Sequence, residues 1–86
     1  MELKRKIVDV DGVGQVEIRE LDYREAEPLF DLPPEKLGKE IIKASLFYPG
    51  GERIFDSAIG VGTATALFGL VDDVLDVNGM GKPKRR

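Results

Sequence analysis

The stretch that most constrains this chain is Gln15-Val16-Glu17-Ile18-Arg19-Glu20-Leu21, where apolar Val16 and Ile18 alternate with polar neighbours and Leu21 closes the run. Period-two alternation suits a half-buried strand, because successive side chains of an extended backbone leave on opposite faces. The run follows Asp11-Gly12-Val13-Gly14, whose glycines supply the positive φ that a tight turn needs. Before the turn, Lys4 to Val10 alternates loosely around Ile7, Val8 and Val10. The two arms predict an N-terminal β-hairpin with one wet face.

Past the hairpin the period changes. Asp22 is suited to cap a helix, and Glu25 sits three residues on, as in a capping box. Tyr23, Ala26, Leu29 and Phe30 would share a helical face, but Pro28 predicts that this helix is short or broken. Asp31-Leu32-Pro33-Pro34 reads as a turn, with Pro34 at the first position of a second helix. Leu37, Ile41, Ile42 and Leu46 would give that helix its buried stripe. Glu35–Lys39 and Lys36–Glu40 would be favourable pairs on its outer side, and Lys39–Lys43 a repulsive one. Ser45 to Tyr48 and Glu52 to Phe55, around Pro49-Gly50-Gly51, predict a second hairpin. A last helix of about 20 residues is predicted from an Asp56 or Ser57 cap to Asn78-Gly79. Together these predict an α+β fold: a small antiparallel sheet from two β-hairpins, with two to three helices packed on one face. Val16, Ile18, Leu37, Ile41, Phe47, Phe55, Leu67, Leu70, Val71 and Val74 are the expected core.

Eighty-six residues suffice for one modest domain. We assign 1–80 to it and 81–86 to a disordered basic tail. The longest uncharged run, Ser57 to Val71, has fifteen residues, whereas a membrane span needs about 20. The first 81 residues carry nine basic and sixteen acidic side chains, a net of −7, so the body would repel a nucleic-acid backbone. Only Lys82-Pro83-Lys84-Arg85-Arg86 would attract one.

The chain has no cysteine and no histidine. Thiolate chemistry is therefore excluded, and the commonest general base and zinc ligand are both missing. Serine occurs only at 45 and 57, with no histidine to activate it. Gly60-Val61-Gly62 lacks the third glycine of a dinucleotide loop, since Thr65 stands there. Asp72, Asp73 and Asp76 lack a calcium loop's glycine and terminal glutamate, and read as a solvated helix side. No catalytic, cofactor or metal site is expected. Ala58, Gly62 and Ala66 recur every four positions, and Leu70 and Val74 continue the row. Small residues admit a close backbone, so this row reads either as packing on the sheet or as a protein-interaction face.

The order of these features resembles the tail assembly chaperones of long-tailed bacteriophages. The residues that carry the resemblance run from the glycine-turn hairpin through Tyr23-Arg24-Glu25-Ala26-Glu27-Pro28-Leu29. They continue through Ile41-Ile42-Lys43-Ala44-Ser45-Leu46 and Gly51-Glu52-Arg53-Ile54-Phe55-Asp56. They close on Val74-Leu75-Asp76-Val77-Asn78-Gly79-Met80. The resemblance implies a non-catalytic morphogenesis protein of the bacterial host cytoplasm. It would bind the tape-measure protein and recruit tail-tube subunits. Assembly as a homo-oligomer is a separate expectation, from the small-residue row. A small structural tail or head–tail joining protein is one alternative. A small regulatory protein binding nucleic acid through its basic tail is another. The family also implies a longer product made by programmed −1 ribosomal frameshifting. Met80-Gly81-Lys82 could encode the slip if Gly81 is GGA, because the preceding ATG ends in G and lysine codons begin with AA.

Overall fold

The computed structural model describes residues 2–80. The expected basic tail, and Gly81-Lys82, where a frameshift was expected, lie outside the described residues. Strands β1 (Arg5–Val10) and β2 (Gly14–Arg19) form the predicted hairpin, with Val8 opposite Val16 and Arg5 opposite Arg19. Val13 N–H donates to Val10 O across the turn at 2.9 Å, and Gly12 and Gly14 take φ of +82° and +101°. Those angles are why glycines stand there. A third strand, β3 (Leu46–Phe47), pairs antiparallel with β2, giving the order β1-β2-β3.

Asp22 caps α1 (Tyr23–Ala26), its carboxylate accepting from Arg24 N–H at 2.8 Å. The capping box is only half made, because Glu25 pairs with Arg53 at 3.1 Å instead of reaching back. Pro28 cannot continue an α-helix, and the chain tightens into a 3₁₀ turn over Glu27–Asp31. Helix α2 (Pro34–Ser45) starts on Pro34 as expected and buries Ile41 and Ile42. On its surface the ion pair formed is Lys43–Glu40, at 3.4 Å.

The second hairpin is rudimentary. Its turn closes, with Tyr48 N–H donating to Glu52 O at 2.8 Å, but the return arm contributes one bridge, Phe47 to Arg53. A strand would send Ile54 and Phe55 to opposite faces of the sheet. A 3₁₀ turn over Ile54–Asp56 instead buries Ile54 completely and sets Phe55 against Phe68, ring centroids 5.5 Å apart. The single long helix is also corrected, to α3 (Val61–Phe68) and α4 (Val71–Val77). Ser57 does not cap it; its hydroxyl donates to Ile54 O at 2.7 Å. Gly69 and Leu70 close 3₁₀-type bonds to Ala66 O and Leu67 O at the break. Unbroken, a 20-residue helix would run about 30 Å, longer than two of the domain's extents of 35, 28 and 25 Å. The break lets Leu67 and Val74 both reach the core.

That core lies between the inner face of the sheet and the helices. Val16, Ile18, Leu46, Ile54, Leu67 and Val74 are wholly buried there, with Ile41 and Ile42 from α2 and Val77 from α4. Burying each large aliphatic contributes about 1.5–3 kcal/mol. Leu37, Phe55, Leu70 and Val71 pack half-buried at its margin. Phe47, expected in the core, stands opposite Glu17 on the outer face of the sheet. Among the described residues no helix is long and apolar enough to cross a membrane.

The last helix ends where the sequence says it should. Gly79 takes φ +72°, Gly79 N–H donates to Asp76 O at 3.0 Å, and Met80 N–H donates to Leu75 O at 2.7 Å. This is a Schellman motif, which needs a residue at positive φ. The turn presents Asn78 to three elements at once. Its Oδ1 accepts from Leu21 N–H at 2.8 Å, and its Nδ2 donates to Ser45 Oγ at 3.1 Å and Val74 O at 2.9 Å. Ser45 is fully buried and Leu21 nearly so, so removing the amide would orphan groups that water reaches poorly. Asn78→Ala is expected to lower the unfolding free energy by about 2–4 kcal/mol. Urea denaturation checks this against Asp76→Ala, which should stay within about 0.5 kcal/mol of wild type.

Candidate protein-binding surface

The expected interaction row is not one surface. Val74 is fully buried, Leu70 is half-buried at the break, and Ala58 lies in the loop before α3. Gly62 and Ala66 remain on α3, Gly62 exposed beside Val61, which is 85% exposed. A Cβ built on Gly62 meets nothing within 4 Å, so no intramolecular contact demands a glycine there. The small-residue row is thus not packed on the sheet at Gly62.

A different surface gathers the apolar side chains that the fold leaves outside. Six large hydrophobics are exposed among the described residues, and four of them, Leu3, Tyr23, Phe30 and Met80, line one groove. Its floor is Leu21, Ala26 and Ile41, with Asn78 at the base. The elements responsible are the chain before β1, the 3₁₀ turn forced by Pro28, and the Schellman turn at Gly79. Tyr23, Ala26 and Phe30, expected on one helical face, line the groove together. The tighter turn buries Ala26, half-buries Leu29 and leaves the two aromatics in solvent. The groove measures about 270 Å³. Pockets that enclose metabolites run roughly 300–1,000 Å³, so this one suits a few side chains of a larger partner. Glu20 is the charged residue in its lining; of the acids that follow in the chain, Asp22 pairs with Arg24 at 3.7 Å and Glu25 with Arg53 at 3.1 Å.

The outer face of the sheet is charged and aromatic. Glu17 is 7% exposed although no helix covers it. Arg19 donates to its Oε1 at 3.0 Å, and Arg5 lies 3.3 Å from its Oε2. Phe47 fills the space beside them, with the guanidinium carbons of Arg19 and Arg53 at 4.3 and 4.9 Å from its ring centroid. Guanidinium groups stack on aromatic faces at such distances. Arg53 is itself anchored, donating to Ala44 O at 2.9 Å. Beneath the sheet, Lys6 reaches Asp73 of α4 at 2.8 Å. Asp72, Asp73 and Asp76 do not converge: among the described residues no three acidic side chains are placed to hold a metal ion.

The hydrogen bond from Arg19, helped by its charge and that of Arg5, holds the Glu17 carboxyl below its usual value of 4.5. A carboxyl lowered on folding stabilises fully above its unfolded pKa, and that stabilisation is lost as pH falls through the folded value. Wild type should therefore lose stability below about pH 4.5 more steeply than Glu17→Gln. Urea midpoints measured from pH 7 to pH 3 check this, and parallel curves would refute it.

The chain matches no protein-family model, and no significant match to it is found among curated proteins or solved structures.

Proposed function

We propose that this protein is a non-catalytic tail assembly chaperone of a long-tailed bacteriophage, which covers apolar helical segments of the tape-measure protein and recruits tail-tube subunits to it. The observation that supports this reading is the groove. Four of the six large apolar side chains exposed among the described residues meet there, on a chain whose first 81 residues carry a net charge of −7. Scattered surface hydrophobics need no explanation, but a cluster on a rigid floor suits docking. A tape-measure chain presents long apolar helices before the tube encloses them. One apolar side of such a helix, set in the groove at i, i+3 and i+4 spacing, would be shielded from self-association. Glu20 in the lining favours helices with a lysine or arginine beside their apolar stripe.

Such a protein needs no reaction centre. It needs a surface that binds firmly enough to compete with aggregation and lets go when the tube assembles. An open groove with few anchors meets both needs, because binding energy concentrates in a few aromatic side chains.

Binding of a labelled tape-measure fragment, followed by fluorescence anisotropy, tests the reading. Tyr23→Ala and Phe30→Ala are each expected to weaken binding about 10–100-fold. Both side chains are exposed, so the fold should persist in each. Deleting Lys82 to Arg86 should leave affinity largely unchanged. If the fragment does not bind, the chaperone reading fails. If it binds equally to both variants, the groove is the wrong surface. Tight, salt-sensitive binding of DNA or RNA instead would favour a nucleic-acid protein.

A further inference from the structure

Strand β1 has one neighbour, β2, so its other edge is open. Glu20 N–H donates to Lys4 O at 2.8 Å. Backbone groups alternate in direction along a strand, so Lys4, Lys6, Val8 and Val10 turn their amides and carbonyls toward β2. Arg5, Ile7 and Asp9 turn theirs to the open edge. The same three residues carry the outward side chains of β1, because Ile7 stands opposite Glu17 on the outer face. Ile7 is 59% exposed. Asp9 makes no ion pair among the described residues.

We propose that this edge pairs antiparallel with β1 of a second copy of the chain, about a two-fold axis through Ile7, making one continuous sheet across the two domains. The partner follows from charge placement. Arg5 and Asp9 are equally spaced on either side of Ile7. With Ile7 opposite Ile7 of the second copy, Arg5 falls opposite Asp9 of that copy, and Asp9 opposite its Arg5. A two-fold contact requires this self-complementarity. Opposite charges directly across an antiparallel pair stabilise it, and like charges oppose it. On the inner side of the same pairing, Lys6 falls opposite Val8 and Lys4 opposite Val10, so no two like charges meet.

Charges on an edge strand ordinarily deter pairing. Here they deter most strands and most registers. Sliding the second copy by two residues breaks both charge pairs when it sets Ile7 opposite Arg5, and when it sets Ile7 opposite Asp9 it moves Arg5 opposite Asp11, past the end of the strand. Arg5 is also held by Glu17 at 3.3 Å, which presets its position near the edge. Among the described residues β1 has no strand partner to displace on that side. No residue of β1 lines the groove of Leu3, Tyr23, Phe30 and Met80, and the inference does not depend on the chaperone reading.

Charge-swapped variants test the pairing by sedimentation equilibrium of the full chain over a wide concentration range. Wild type should approach twice the monomer mass as concentration rises. Ile7→Lys places two like charges on the axis, and Asp9→Arg sets arginine against arginine. Each should weaken the dimer at least about tenfold. Ile7 is mostly exposed and Asp9 makes no ion pair among the described residues, so circular dichroism should be unchanged. Arg5→Glu should also be monomeric alone, and mixing it with Asp9→Arg should restore a dimer, since the two then complement each other at both positions. In the wild-type dimer the Arg5, Ile7 and Asp9 amides should exchange with solvent more slowly as concentration rises. A wild type that stays monomeric throughout overturns the proposal. So does a dimer that Ile7→Lys and Asp9→Arg leave intact, or a mixture that does not reassociate.

Discussion

The fold hangs on one carboxamide. Asn78 stands at the end of the last helix, yet it bonds the residue after β2, the last residue of α2 and its own preceding turn. These elements lie far apart in sequence, and between them they carry most of the core. The orientation of the amide is dictated chemically: only its oxygen can accept from Leu21 N–H, and only its nitrogen can donate to Val74 O. Gly79 makes the clasp possible, because its left-handed backbone turns the chain sharply enough to stop the helix at Asn78. The Asn-Gly pair thus acts as one device, the glycine setting the geometry and the asparagine using it.

The clasp also shapes the surface. Leu21 and Asn78 are part of the groove, Ile41 on α2 completes its floor, and Met80, just past the Schellman turn, forms part of its rim. The bond to Leu21 fixes where the chain leaves the sheet, and hence where Tyr23 begins. A groove built on so small a domain would be soft unless something buried held its floor. Here the polar clasp under the groove and the apolar core behind it are the same set of contacts. The outer face of the sheet is organised on a different basis, with Glu17 held by arginines and Phe47 lying under two guanidinium groups. Its edge strand keeps a charge pattern with two-fold symmetry. One small domain therefore offers an apolar groove on one side and a charged, self-complementary edge on another.

What could be read from the sequence is what local chemistry decides. The hairpin was legible because alternation and turn glycines act within a few residues. The starts and stops at Asp22, Pro34 and Gly79 were legible for the same reason. The errors are tertiary. Ile54 and Phe55 look like a strand, but both are drawn toward the helices, and a 3₁₀ turn serves them better. Ser57 to Val77 looks like one helix, but Gly69 lets it bend so that Leu67 and Val74 both reach the core. Phe47 looks like core because it is aromatic; its register opposite Glu17 puts it on the other face. The groove was the least legible part. Tyr23, Ala26 and Phe30 were legible as one face and do line the groove together, but Leu3 and Met80 come from elements far off in sequence, and nothing local shows that they join it. Small-residue spacing pointed instead to Ala58, Gly62, Ala66, Leu70 and Val74, a row that needs an unbroken helix to exist.

Amide hydrogen exchange at Leu21 tests the account most directly. Leu21 follows β2, outside the strand ladder, and its N–H has the Asn78 side chain as partner. If the clasp closes the domain, this amide opens only with global unfolding, and its protection should equal that of the core amides in native-state exchange. Fast exchange at Leu21, at the rate of an exposed loop amide while the core stays protected, would contradict the account.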